Sequence, residues 1–341
     1  MILYDDRAPG DRAVLALDIG GTKLAAGVVS GDGTARSFVT CPTRTEEGPE
    51  AALQRLFALG REALTAAGIA PERAADRLAG CGVGCGGPLD SAGGVLIAPP
   101  HLPGWLDIPI TRLAHEQYGL LTVLDNDGTA GAAGEWRFGA GRGTRHLVYL
   151  TVSTGIGGGV VLDGRTYRGA TGNGGEPGHV TVRSDGRPCR GCGRTGCLEA
   201  YASGTSIAER AREALAAGDQ RSVLAALPHP GPTAADVAAA ARDGDPLATA
   251  LWDETTDLLA EGLASIVNLY EPELVVLGGG VTRSGEQLLS PVREKTRRLA
   301  MRPAANARIV RARAGDRAGV LGAAAIALER LVDDPAPLPV A

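Results

Sequence analysis

Ala13-Val14-Leu15-Ala16-Leu17-Asp18-Ile19-Gly20-Gly21-Thr22-Lys23-Leu24-Ala25-Ala26-Gly27-Val28-Val29 places two apolar runs on either side of a short turn that carries glycine, a hydroxyl and two charges. Apolar runs of this length bounded by turn residues read as strands, and so short a connection joins antiparallel neighbours. A second turn, Ser30-Gly31-Asp32-Gly33, precedes residues 35–40, so the chain opens as a three-stranded meander. A dinucleotide-binding βαβ unit would put a helix directly after the first glycines, and no helical pattern follows them. Further on, Leu53, Leu56, Phe57 and Leu64 recur at helical spacing over 50–67, a strand is expected over 78–84, a helix over Ile110–Tyr118 and a strand over 121–124. Residues 1–125 therefore read as a small α/β domain.

The second half restarts this pattern. A strand over 146–152, a glycine-rich stretch over 153–159 and a strand over 160–162 repeat the opening strand, turn and strand, a weak internal repeat that bears on architecture. Helical patterns follow over 198–215 and 246–270. A strand over 274–277 ends in Gly278-Gly279-Gly280, a last helix covers 318–332, and a proline-rich tail closes the chain at 333–341. The expected division is a large α/β domain with a cysteine motif over 126–315, and a C-terminal helix, about 316–333, that packs back on the small domain.

Composition narrows the class. The 341 residues are 44% hydrophobic and 21% charged, enough to bury a core, and with only 4% aromatic residues that core must be built from Ala, Val and Leu. Glycine reaches 50 residues without a period of three, which excludes collagen; 21 of them fall in the six short segments 18–23, 82–87, 154–159, 169–179, 189–199 and 277–281. Such clustering suggests backbone that approaches a ligand closely. The net charge of −5, with scattered basic residues, gives no footprint for nucleic acid or an anionic membrane. The polar first residues do not read as a signal peptide, and no apolar run is long enough to span a bilayer. Six cysteines are too few for a disulfide scaffold, so a reducing, cytoplasmic setting is expected.

Four constellations carry chemistry. In the first turn, Gly20 and Gly21 let backbone N–H groups face a phosphate, Thr22 adds a hydroxyl and Lys23 a charge, while Asp18 at a strand end can hold a magnesium-bound water. Thr154, Gly155, Gly157 and Gly158 repeat that chemistry; taken singly either loop could be an ordinary turn, but two between strands point to phosphate. Neither fits the Walker pattern, and the two matches to G-x-G-x-x-G, at Gly82/Gly84/Gly87 and Gly191/Gly193/Gly196, lack the helix a dinucleotide site needs. His179, Cys189, Cys192 and Cys197 offer one imidazole and three thiolates, the set tetrahedral zinc prefers, with no position left for water and hence a structural role. Cys41, Cys81 and Cys85 read as small buried hydrophobes. Asp125-Asn126-Asp127 at a strand end could supply a base and a hydroxyl-orienting amide, or be a turn or helix cap. Glu176 and Glu199 flank the cysteine segment, where a carboxylate can accept two hydrogen bonds from vicinal sugar hydroxyls.

Gly175-Glu176-Pro177-Gly178-His179 through Cys192-Gly193-Arg194-Thr195-Gly196-Cys197-Leu198-Glu199, with both glycine loops and the Asn-Asp pair in order, resembles the ROK family (repressor, open reading frame, kinase), and its bacterial glucokinases most. The resemblance runs from Val14 to about Leu328. It implies a two-domain actin-like ATPase (ribonuclease H-like) fold with a cleft between the domains, and transfer of a phosphoryl group from ATP to the 6-hydroxyl of glucose, with magnesium. It implies Asp127 as general base; Gly87, Asn126, Glu176, His179 and Glu199 with Asp127 around the sugar; Asp18, Gly20 to Lys23, Thr154, Gly155, Gly157 and Gly158 at the phosphates; and Gly279 and Gly280 beside adenosine. His179 would serve both zinc and sugar. Homodimers or homotetramers are common among such proteins. Alternative acceptors are fructose, N-acetylmannosamine, N-acetylglucosamine and allose, and polyphosphate is an alternative donor. The family's sugar-sensing repressors carry a DNA-binding domain ahead of the first loop, where only 17 residues precede Asp18 here. Three departures stand out: Cys189-Arg190-Gly191-Cys192 is one residue longer than the family's Cys-x-Cys, which makes Cys189 the ligand to test. His101 replaces the usual Asn before Leu-Pro, and Gly86-Gly87-Pro88 replaces Pro-Gly-Pro.

Overall fold

The computed structural model describes residues 12–218 and 221–333. The reading of the polar N-terminal residues and that of the proline-rich tail fall on residues 1–11 and 334–341, outside the described residues.

The chain forms two compact α/β units. The first holds residues 1–143, 166–175 and 313–341, the second 144–165 and 176–312. The first unit begins with β1 (Ala13–Ile19) and β2 (Lys23–Ser30), antiparallel with Asp18 opposite Ala25, then β3 (Val39–Pro42). The third strand starts at Val39 because residues 35–38 turn across β2: Arg36 and Ser37 both donate their N–H groups to Val28 O, and Ser37 Oγ accepts from Val28 N at 3.0 Å. Helix α1 (Pro49–Ala66) and the short α2 (Ala74–Arg77) lead to β4 (Cys81–Cys85), the two-residue ribbon β5 (Leu89–Asp90) and β6 (Val95–Leu96), helix α3 (Ile110–Tyr118), β7 (Thr122–Asn126) and α4 (Asp127–Phe138). β4 runs parallel to both β1 and β7, giving the order β3-β2-β1-β4-β7.

The second unit has β8 (Leu147–Val152), β9 (Ile156–Leu162), the first residue of β10 (Arg165–Tyr167), whose other two are counted with the first unit, α5 (Glu199–Ala202), α6 (Gly204–Ala216), α7 (Ala234–Arg242), α8 (Pro246–Tyr270), β11 (Leu274–Gly278), α9 (Glu286–Leu299) and β12 (Arg308–Arg311). The helical pattern at 198–215 is broken at Ser203, whose hydroxyl caps α6 by accepting from Ser206 N at 3.1 Å. The sheet order is β10-β9-β8-β11-β12, with β8/β9 antiparallel and β8/β11 and β11/β12 parallel. Both sheets thus share one strand order, the architecture behind the weak internal repeat. It is that of the actin-like ATPase (ribonuclease H-like) fold.

The chain then returns to the first unit as α10 (Ala318–Leu328). β1 is buried on both faces, so its sequence is a near-continuous apolar run. Leu15, Leu17 and Ile19 face a cluster with Leu56, Phe57 and Leu64 of α1, and Val14 and Ala16 face Ala130 and Ala133 of α4 with Val320, Ala323 and Ile326 of α10. α4 and α10 are rich in Ala and Gly because their backbones nearly touch: a Cβ on Gly322 would sit 2.6 Å from Ala130 O. Part of the glycine excess is therefore helix packing. That contact also places α4 in the first unit, so the division expected at residue 125 falls after Gly143.

Candidate functional site

In the first unit the carboxyl ends of β1, β4 and β7 gather the expected charges. Asp18 is the penultimate residue of β1, level with Gly84 of β4, which in turn pairs with Asp125 of β7. The Asp18 carboxyl packs on the first turn of α10, where a side chain on Gly319 would overlap it. Desolvation, reinforced by the charge of Asp127 and opposed by Lys23, pushes the Asp18 pKa up to about 7. The turn after β1 closes through a Gly20 N–H to Lys23 O bond of 3.1 Å, and Thr43 ties it to β3 by donating Oγ1–H to Gly20 O at 2.6 Å. Thr22 and Lys23 stay exposed.

Asn126 and Asp127 stand where β7 becomes α4. The helix-cap reading holds: Asn126 is the N-cap of α4, its Oδ1 accepting from Gly128 N at 2.8 Å, and this leaves its Nδ2 facing Gly87. Asp127 is the first helical residue. Its carboxylate is open to solvent yet ringed by protein, and this desolvation raises its pKa against the opposing charge of His101. His101, the family departure, is hydrogen-bonded to the Ile19 backbone, and its main chain closes on Gly21 while its ring closes on Gly86. Sequence reading left its role open; the structure puts it beside Asp127.

The second unit holds two groups. Thr154 and Gly155 form the turn from β8 to β9, where Ser153 O accepts from Gly204 N at the start of α6 at 2.6 Å. Gly279, with φ of +87° and its Cα against the Val152 backbone, and Gly280, close to Ser153, lie beside this turn. Gly157 and Gly158, expected in the loop, lie instead inside β9 and pair with Thr151 and Leu150. In an antiparallel pair only alternate residues bond to a given neighbour, so one of these two amides points away from β8, and a Cβ on Gly158 would collide with Tyr149 O and Pro177. Gly178 likewise has no room beside Ile156 O, so Glu176-Pro177-Gly178-His179 lies flat on β9.

That segment delivers His179 to the cysteines. His179 Nδ1 is 3.7 Å from Cys189 Sγ, Cys192 Sγ is 3.6 Å from Cys197 Sγ, and one ligand atom from each of the four residues lies within 4.8 Å of the others. Tetrahedral zinc with Zn–S near 2.3 Å would set its sulfurs about 3.7 Å apart, so the Cys3His donor set fits that ion. The extra residue between Cys189 and Cys192 is absorbed by a turn, Gly193 N–H to Cys189 O at 2.9 Å, which brings Cys189 into the cluster. Glu199, first residue of α5, accepts from Ile156 N at 2.8 Å and lies 3.4 Å from Cys189 Sγ. Glu176 is exposed at the head of the His179 turn.

Two groups went unread in the sequence. Arg168 and Glu329, both half-buried, form an ion network with the buried Asp125, and nothing in their spacing announces it. No described helix is long and apolar enough to cross a membrane.

Comparison with known proteins places this arrangement. The ROK family model matches residues 14–330. A glucokinase of Thermotoga maritima is 37% identical over 321 residues, covering 93% of this chain and 98% of that one. The crystal structure of a ROK hexokinase from Thermus thermophilus superposes with a TM-score of 0.80 at 38% identity over 94% of this chain and 99% of that one. That of a ROK family glucokinase from Streptomyces griseus, in complex with glucose and AMPPNP, gives 0.76 at 32% identity over 93% and 99%.

Proposed function

This chain belongs to the ROK family, and on that premise we propose that it is an ATP-dependent sugar kinase that phosphorylates glucose at the 6-hydroxyl to give glucose 6-phosphate. The observation that carries the reading is the Asn126–Asp127 pair at the head of α4, with an amide turned toward Gly87 and a solvent-open carboxylate of raised pKa. A carboxylate so placed accepts the proton of a hydroxyl as that oxygen attacks phosphorus. Oxygen 6 bonds to the γ-phosphorus, the bond to the β,γ-bridging oxygen breaks, ADP leaves, and Asp127 holds the proton.

Gly87, Asn126, Glu176, His179 and Glu199 hold the remaining hydroxyls. Gly20, Gly21, Thr22 and Lys23 with Thr154, Gly155, Gly157 and Gly158 hold phosphates, with Gly279 and Gly280 beside adenosine. Asp18 would hold magnesium, which when bound would supply neutralisation of phosphate charge, most of what phosphoryl transfer requires of a catalyst. Structural zinc on His179, Cys189, Cys192 and Cys197 fixes the His179 ring, whose Nε2 is then free to meet the sugar. The protein acts in the cytoplasm, in glycolysis, as a homodimer or homotetramer.

The test measures sugar phosphate formed by zinc-loaded protein from glucose, fructose, N-acetylmannosamine, N-acetylglucosamine and allose, each with ATP and with polyphosphate. Glucose with ATP is expected to give the highest kcat/KM. Folded, zinc-loaded protein that turns over none of these sugars would sink the reading.

A further inference from the structure

Asp125 precedes the proposed base by two residues and is fully buried at the end of β7. One of its oxygens, Oδ1, accepts from the Asn126 backbone N–H at 3.1 Å, and the other, Oδ2, accepts from Arg168 Nε at 2.7 Å. Arg168 is held in turn: Nη2 donates to Glu329 Oε2 at 3.2 Å and Nη1 to Thr166 O at 3.3 Å. Glu329 accepts from Thr166 N at 2.9 Å and from Thr166 Oγ1 at 2.7 Å. The next residue, Arg330, donates to Leu124 O at 3.1 Å. The last residues of β7 are thus gripped by side chains from two remote parts of the sequence.

A buried ion pair adds little net stability over well-packed apolar residues, because desolvation offsets the attraction. What it does supply is direction, since a guanidinium fork donates to carboxylates along fixed lines. Here the fork holds the residue whose other oxygen holds the Asn126 amide.

We propose that Arg168 is a positioning residue for phosphoryl transfer: clamped between Asp125 and Glu329, it fixes the end of β7 and thereby the orientation of Asn126 and Asp127. The proposal rests on the kinase reading of Asp127. The misplacement of a reacting group by about an ångström can cost on the order of a hundredfold in rate, and this sets the expected size of the effect.

The experiment compares wild type with Arg168→Met, Arg168→Lys and Glu329→Gln in the full zinc-loaded chain, at a temperature well below each unfolding midpoint. It reads kcat, KM for sugar and for ATP, and amide hydrogen exchange over 122–129. In Arg168→Met, kcat is expected to fall by about 30- to 100-fold with KM for ATP within twofold of wild type. Exchange over 122–129 quickens while β8 and β11 keep their protection, and Arg168→Lys regains part of the loss. If Arg168→Met does not fold, Arg168→Lys and Glu329→Gln must show the same pattern in smaller measure. A folded Arg168→Met with kcat within threefold of wild type overturns the proposal, as does a variant that loses thermal stability alone. Wild type inactive on every sugar would instead remove the kinase reading, and the exchange result would then decide the clamp by itself.

Discussion

Glu199 Oε2 accepts a hydrogen bond from Ile156 N at 2.8 Å while Glu199 Oε1 lies 3.4 Å from Cys189 Sγ. One carboxylate therefore spans the turn that leaves β8 and the ribbon that carries the cysteines. Glu199→Ala leaves the Ile156 amide without this partner and is expected to cost about 1–3 kcal/mol, read as a lower urea midpoint. It should also raise KM for both sugar and ATP. Glu199→Gln keeps an acceptor for Ile156 N and should restore the midpoint but not the sugar KM. Unchanged stability in the alanine variant would show that water replaces the contact.

Asp127→Asn keeps the size of the side chain and removes its basicity. Turnover should fall by about 10²- to 10⁴-fold, the usual contribution of a positioned base. Sugar affinity measured by calorimetry should change little. Activity within tenfold of wild type would remove Asp127 as the base.

Burial raises the Asp18 pKa to about 7, so between the ordinary carboxylate value near 3.8 and about 7 the folded protein binds a proton that the unfolded chain releases. This contribution to stability is full below the lower value and is lost as pH rises through about 7. In zinc-loaded protein without magnesium the wild-type melting temperature should therefore fall, relative to that of Asp18→Asn, between pH 5 and pH 7.5. The variant, spared a buried charge, should be the more stable of the two at pH 7.5 and the less active with magnesium and ATP. Parallel pH curves for the two proteins would contradict the raised value.

Protein purified without chelator should carry close to one zinc per chain, and Cys189→Ser or Cys197→Ser should carry much less. Stripping the ion with a strong chelator should lower the melting temperature and raise the sugar KM through His179, with kcat recovering when zinc is restored. Fewer than half an equivalent of zinc in wild type, or full occupancy in Cys189→Ser, would count against the four-ligand site.

The parts of this architecture that repeat a local pattern could be read without coordinates. The opening hairpin followed from apolar runs around Asp18 to Lys23, and α8 from its periodicity between Pro246 and Tyr270. Where reading failed, the cause was a contact remote in sequence. Gly157 and Gly158 look like loop glycines, yet β9 begins at Ile156 and Gly158 is small because Pro177 crosses it. Residues 35–38 have the composition of a strand but are diverted by Ser37 bonding back to Val28. Arg168 and Glu329 lie 161 positions apart. Asn126 was readable both as cap and as ligand; the structure uses its Oδ1 for the cap and leaves its Nδ2 facing Gly87.

The return of α10 to the first unit carries a consequence for how the chain is made. Part of one face of the first sheet is covered by Val320, Ala323, Ala324 and Ile326, which are synthesised after the whole of the second unit. Until then Val14, Ala16, Ala130 and Ala133 lack their packing partners, whereas most of the second unit's core, from Val148 to Ile309, is already synthesised. Synthesis from the N-terminus therefore finishes the second unit first. Of these two units, the one begun first is completed last.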